Sequence, residues 1–125
     1  MNRVFQNTIH VPGALGADLN VRFTVPFDCQ LVHVSAVNST AYAAGLEIGS
    51  SADADGYITK YDIGVSDTPV EKELLTDFNG DLAGSQYPHV TDGTIVTLAL
   101  DFNYAGGGSA NASADVTIVL TFTEG

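Results

Sequence analysis

This 125-residue chain has no tryptophan, one cysteine, one methionine and four Lys plus Arg residues. The lone Cys29 excludes a disulfide framework and a thiolate metal cluster, which both need several thiols. Four basic residues against 15 Asp plus Glu give a formal net charge of −11. Nucleic acid and anionic membrane surfaces are therefore rejected as partners, because both are bound through clustered Lys and Arg. No apolar run approaches the roughly 20 residues of a membrane span, and Met1 to Asn7 lacks the apolar stretch of a signal peptide. The expectation is a chain made and folded in a reducing cytoplasm. Catalytic signatures are absent as well: there is no Gly-x-Ser-x-Gly elbow and no His-Glu-x-x-His pair. Gly106-Gly107-Gly108 has no flanking lysine and reads as a flexible hairpin loop, not as a phosphate cradle.

Alternation dominates what is present. From Thr94 to Tyr104, Val96, Leu98, Leu100, Phe102 and Tyr104 share one face, with Thr97, Asp101 and Asn103 on the other. From Asp115 to Thr123, Val116, Ile118, Leu120 and Phe122 alternate with Thr117, Val119, Thr121 and Thr123. A period of two with β-branched and aromatic residues predicts strands with one buried face, here paired through the loop Ala105 to Ala114. Earlier strands are expected at Val4 to Val11, ended by Pro12-Gly13, and at Leu19 to Val25, where Leu19, Val21, Phe23 and Val25 point inward. Cys29 to Val37 follows with Val32, Val34 and Ala36 on its more apolar face, then Gly45 to Gly49 and Tyr57 to Ile63. Val70 to Phe78 fits a strand or a single helical turn, and a strand is favoured by its neighbours. Asn79 to Asp92 is loop-rich, with turn signals at Asn79-Gly80 and Asp92-Gly93. With 45% apolar and 9% aromatic residues the chain can fill one core. Seven to nine strands with regular turns imply a single all-β domain over residues 1–125, an antiparallel β-sandwich of which the jelly roll is one form.

The sharpest local pattern runs from Ser51 to Asp62. Against a twelve-residue calcium loop it offers oxygen side chains at positions one, three, five, nine and twelve, with Gly56 at the sixth. Asp53 and Asp55, with the Tyr57 carbonyl, would supply part of a shell. Position one is Ser51 instead of Asp, however, and Asp62 is shorter than the usual bidentate Glu. A tight polar turn between strands accounts for Asp53-Ala54-Asp55-Gly56 equally well. His10, His33 and His89 read as structural or surface histidines, His33 on the less apolar strand face with Leu31, Ser35 and Val37. Cys29 has no activating cation nearby in sequence and reads as a small core thiol. Asp53, Asp55, Asp62, Asp67, Glu71, Glu73, Asp77 and Asp81 form a solvated acidic rim, without the aromatic platforms a glycosidase cleft uses. Asn38-Ser39-Thr40 and Asn111-Ala112-Ser113 match the glycosylation sequon but read as loop chemistry. No catalytic, cofactor-binding or metal-ligating residue is assigned, no cofactor is expected, and the chain is not read as an enzyme.

Three segments together resemble a known group: Val25-Pro26-Phe27-Asp28-Cys29-Gln30-Leu31-Val32-His33-Val34-Ser35-Ala36, then Ile48-Gly49-Ser50-Ser51-Ala52-Asp53-Ala54-Asp55-Gly56-Tyr57, and Asp115-Val116-Thr117-Ile118-Val119-Leu120-Thr121-Phe122. They resemble the small β-sandwich capsid decoration (cement) proteins of tailed bacteriophages, which carry no catalytic residues to transfer. The resemblance implies a structural protein of the virion. It would be made in the host cytoplasm and bound to the outer capsid surface, with the major capsid protein as partner. It also implies a homo-oligomer, a trimer suiting three-fold positions. Val4 to Val11 and the loops holding Tyr42 and Tyr87 are the expected contact segments. The alternative is a lectin-like sandwich in which calcium at Asp53, Asp55 and Asp62 assists carbohydrate binding.

Overall fold

The computed structural model describes residues 3–79, 86–108 and 111–125. Gly80, Asp81, Ser109 and Ala110, which the sequence reading placed in turns, the acidic rim and the last loop, lie outside the described residues. Among the described residues nine strands follow in order: β1 (Val4–Ala14), β2 (Leu19–Thr24), β3 (Cys29–Val37), β4 (Gly45–Ser50), β5 (Asp53–Asp62), β6 (Val70–Lys72), β7 (His89–Val90), β8 (Ile95–Asp101) and β9 (Ala114–Glu124). One sheet has the order β1-β9-β3-β6, with β7 also on β3, and the other has the order β2-β8-β4-β5. Every pairing between these strands is antiparallel.

The pairings are nested: β1 with β9, β2 with β8, β3 with β6 and β7, and β4 with β5. A long hairpin folded over on itself gives this order, with β9 additionally joining β3 and β8 joining β4. That is the jelly roll, a double-sheet form of the expected sandwich. It corrects one expectation. The two alternating runs that close the chain are not partners across a hairpin, because β8 lies in one sheet and β9 in the other. Each run has an apolar face to bury, and the long connection lets the chain cross between sheets so that the faces meet.

The core is built from those faces. Val96, Leu98 and Leu100 of β8 and Val116, Ile118, Leu120 and Phe122 of β9 are buried, with Leu46 and Ile48 of β4 beside them. On β3 the inward residues are Cys29, Leu31, Val34 and Ala36. The register against β9 shifts between Leu31 and His33, and this bulge changes which parity faces the core. Strict alternation from Val34 therefore assigned Val32 to the core and Leu31 to the outer face; the structure leaves Val32 half-buried and buries Leu31. Val70 to Phe78 is divided: β6 covers three residues and a 3₁₀ turn follows at Leu75–Asp77. The Asp77 carboxylate accepts from the Glu73 and Leu74 amides, so the chain turns before a longer strand can form.

The two long sides of the sandwich differ. On the β5/β6 side, Asn79 donates from its backbone to Tyr57 O, while its amide reaches Asp55 O and Thr59 Oγ1. Phe78 is buried there and meets Tyr87 edge to face at 5.3 Å, and the Tyr87 hydroxyl donates to Glu73 O. These segments cover part of that side. On the other side, Phe5, Ile9 and Val11 of β1 and Leu19, Val21 and Phe23 of β2 are only partly buried. Phe5 and Phe122 of one sheet and Phe23 of the other form a cluster of tilted and edge-to-face rings 5.8 to 6.2 Å apart.

At the β4–β5 hairpin, Ser50 pairs with Asp53 and Ile48 with Ile58, so several β5 residues bulge over Gly49. A Cβ on Gly49 would run into the carbonyls of Asp53 and Ala54. Gly49→Ala is expected to cost about 2 kcal/mol or more through backbone overpacking, and Tm should fall by roughly 8 °C. Gly16→Ala, where a Cβ meets nothing within 4 Å, should leave Tm nearly unchanged in the same melting experiment.

Candidate functional site

The calcium-like segment is mostly strand. Its two-residue turn is Ser51–Ala52, since Ser50 already pairs with Asp53; the turn thus sits earlier than Asp53-Ala54-Asp55-Gly56. Asp53 and Asp62 are the two ends of β5. At about 3.3 Å per residue an extended strand would set them some 30 Å apart, and even the bulge leaves them at opposite ends. The Asp62 carboxylate is occupied as well, accepting from the Gly64 amide at 2.7 Å. Asp53, Asp55 and Asp62 do not converge.

Asn38 begins the first sequon, yet its side chain is buried and satisfied. Its amide donates to Ile63 O at 2.8 Å, and its oxygen accepts from the Thr40 amide at 2.8 Å. Cys29 is fully buried with Sγ 3.7 Å from Val90 O. Burial, reinforced by Asp28 and Asp92, pushes its thiol up to about 11, which suppresses the nucleophilic thiolate. Tyr61 is pushed upward chiefly by burial, and its hydroxyl has no partner among the described residues. A depression of about 360 Å³ at one end of the sandwich is lined by Arg3, Pro26, Phe27, Asp28, Asp92 and Glu124. Several of its polar groups engage one another: Arg3 lies 4.3 Å over Phe27 and pairs with Glu124, and Asp28 accepts from the Asp92 amide.

The histidines separate in the fold. His89 is exposed on β7, and His10 on β1 hydrogen-bonds with Thr117 Oγ1 at 2.8 Å. His33 is different: its Nε2 is 3.3 Å from Glu71 Oε1, and one donor atom from each of His33, Glu71 and Glu73 lies within 4.8 Å of the others. Sequence reasoning placed the two glutamates in a general acidic rim and did not connect them to His33. The connection depends on the β3–β6 register, and β6 is too short to announce its partner.

The strand edges are the largest remaining feature. β1 ends one sheet and β2 ends the other, on the same side of the molecule, and neither strand contains an acidic residue. Val4 is 61% exposed at the start of β1. Of the two tyrosines expected at contacts, Tyr42 is exposed, whereas Tyr87 is engaged internally with Phe78 and Glu73. Among the described residues no helix is long and apolar enough to cross a membrane.

No protein-family model and no curated protein sequence matches this chain. Solved structures do. A chain of the cyanophage Pam1 capsid asymmetric unit superposes with a TM-score of 0.56 at 16% identity, covering 99% of this chain and 85% of that one. A chain of infectious bursal disease virus, Gx strain, gives a TM-score of 0.48 at 13% identity, covering 98% of this chain but 32% of that one. The Pam1 match means that this chain shares a whole-length fold with a viral capsid chain.

Two outcomes are expected from the site geometry. Calcium at about 1 mM should move Tm little relative to chelator, because stabilisation requires ligand well above its dissociation constant and the three aspartates form no common shell. A second outcome concerns acid. The Arg3 side chain and amide hold Glu124 below the usual carboxylate range, and the Gly13 amide and Ser39 hydroxyl do the same for Asp115. Both folded values are depressed, so the contribution is present above about pH 4.5 and is lost as pH falls through the lower folded values. In melting curves from pH 7 to pH 3, the double variant Asp115→Asn/Glu124→Gln should lose less stability with acidification than the parent.

Proposed function

We propose that this chain is a structural component of a bacteriophage virion, a decoration protein bound as a trimer to the outer surface of the capsid and stabilising it. The observation that carries this reading is the whole-length overlap with a chain of the cyanophage Pam1 capsid asymmetric unit. The two chains are of comparable extent, so the likeness does not concern one domain of a much larger protein.

The shape of the molecule supports the same reading. A protein that works by contact needs surfaces, and the half-open β1/β2 side supplies one. Two strand edges lie together there, next to the partly buried Phe5, Ile9, Val11, Leu19, Val21 and Phe23. An unpaired edge offers backbone donors and acceptors that an added strand from a neighbour can satisfy. Several such contacts, each weak, sum through avidity when copies sit around a symmetry axis and touch several subunits of the major capsid protein. The acidic surface elsewhere keeps free copies soluble.

Purified protein mixed with undecorated phage heads should co-sediment at saturating stoichiometry and raise the temperature at which heads break, and its own sedimentation should give a trimer. The variant Val4→Lys/Thr8→Lys, which adds charge along the free β1 edge, should fold normally and occupy heads less. A strictly monomeric protein that ignores heads and binds a glycan array would replace this reading with the lectin-like one.

A further inference from the structure

We infer that His33, Glu71 and Glu73 form a binding site for a divalent transition-metal ion of the zinc type, on the outer face of the β1-β9-β3-β6 sheet. The inference does not rest on the capsid reading. It begins with register: Ser35 pairs with Glu71 and Val34 with Lys72, so one further antiparallel step sets His33 opposite Glu73. Side chains two apart on a strand share a face, and diagonal neighbours across strands are within reach of long side chains. The β3 bulge between Leu31 and His33 is what puts His33 on that outer face, because it restores the outward parity just before this pair.

The three donors are an imidazole nitrogen and two carboxylate oxygens. This mixture is unlike the rest of the acidic rim, because imidazole binds zinc, nickel and copper well and calcium poorly. Ligands at zinc distances in a tetrahedron stand about 3.4 Å from one another. His33 Nε2 and Glu71 Oε1 are already 3.3 Å apart, and all three donors lie within 4.8 Å of one another. Small rotations of the glutamates complete the geometry, leaving a fourth position for water. The carriers are also held in place. The Glu73 amide donates to Asp77 Oδ2, and the Glu73 carbonyl accepts from the Tyr87 hydroxyl. Lys72, between the two glutamates, points to the opposite face, where its Nζ stands 4.6 Å over the Tyr61 ring. A bound ion would clamp β6 to β3, a pairing of only three residue pairs.

The test is calorimetric titration of the metal-free protein with Zn²⁺, with Tm measured with and without the ion and Co²⁺ used as a spectroscopic stand-in. One ion should bind per chain, raise Tm, and give a visible cobalt spectrum of a nitrogen-containing, low-coordinate site. His33→Ala and Glu73→Gln should each weaken binding about tenfold or more and abolish the Tm rise. Both replace partly exposed side chains, and their metal-free Tm values show that the fold is intact. Glu71→Gln serves as the second carboxylate variant should Glu73→Gln perturb the 3₁₀ turn. His10→Ala and His89→Ala should bind as the parent does. Zinc binding unchanged in His33→Ala, calcium bound as tightly as zinc, or no heat and no cobalt spectrum would each overturn the inference.

Discussion

β9 is the strand on which the rest of the molecule depends. It is hydrogen-bonded along both edges, to β1 over most of its length and to β3 from Cys29 to Val37. Its inner face buries Val116, Ile118, Leu120 and Phe122 against the opposite sheet. At about 1.5 to 3 kcal/mol for each fully buried side chain, these four contribute roughly 6 to 12 kcal/mol before entropy is counted. The Arg3–Glu124 pair at the end of the same strand is exposed, and solvent screening leaves such a pair a minor contribution. Burial along β9 therefore decides the fold, and the ion pair only tidies its end. The cost is topological. The first and last strands must find each other across the length of the chain, so folding is dominated by non-local contacts and is expected to be slow for this size.

The nested pairing also explains why the two sides are unlike. The middle of the sequence, from β5 to β7, must connect the sheets at one side, so Phe78, Tyr87 and Asn79 become packing and hydrogen-bonding elements there. The outer pair of the hairpin, β1 and β2, reaches the other side with nothing comparable laid over it among the described residues. Natural proteins blunt such edges with Pro, bulges or charge. β1 has Pro12 and a bulge before Ala14, where the Gly13 amide is held by the Asp115 carboxylate. These devices stand at the far end of β1 and leave Val4 to Val11 a long, regular edge.

The alternating runs were legible because period two with β-branched residues has one economical solution. β2, β8 and β9 appear close to where the pattern places them, and the inward faces of all three are correct. Three features escaped for separate physical reasons. The partner of each strand is a tertiary property, so the run ending in Tyr104 and the run beginning at Asp115 looked like a hairpin although they face each other across the core. The Val32 bulge is invisible in composition, and one extra residue is enough to reverse which face is apolar. The His33, Glu71 and Glu73 cluster combines both problems, since it needs the bulge to set parity and the β3–β6 register to set proximity. Only the dispersion of Asp53, Asp55 and Asp62 along β5 could have been suspected earlier, from the strand-like alternation of Tyr57 to Ile63.

The acidity of the chain bears on how copies could meet at all. A net charge of −11 repels a second copy, and the repulsion is greatest where the carboxylates gather, along β5, β6 and the turn after β6. β1 and β2 carry none, and the acids on the strands beside them are engaged: Glu124 with Arg3, Asp115 with the Gly13 amide and Asp101 with Lys60. In the β2-β8-β4-β5 sheet, three spacings of about 4.8 Å separate β2 from β5, roughly 14 Å in all. The Debye length at physiological ionic strength is about 8 Å, so the field of the β5 carboxylates is largely screened before it reaches β2. Approach through the β1/β2 side therefore meets little of the charge that keeps the other faces apart. The same distribution of acids leaves one side, where the edges of β1 and β2 lie together, on which contact costs least.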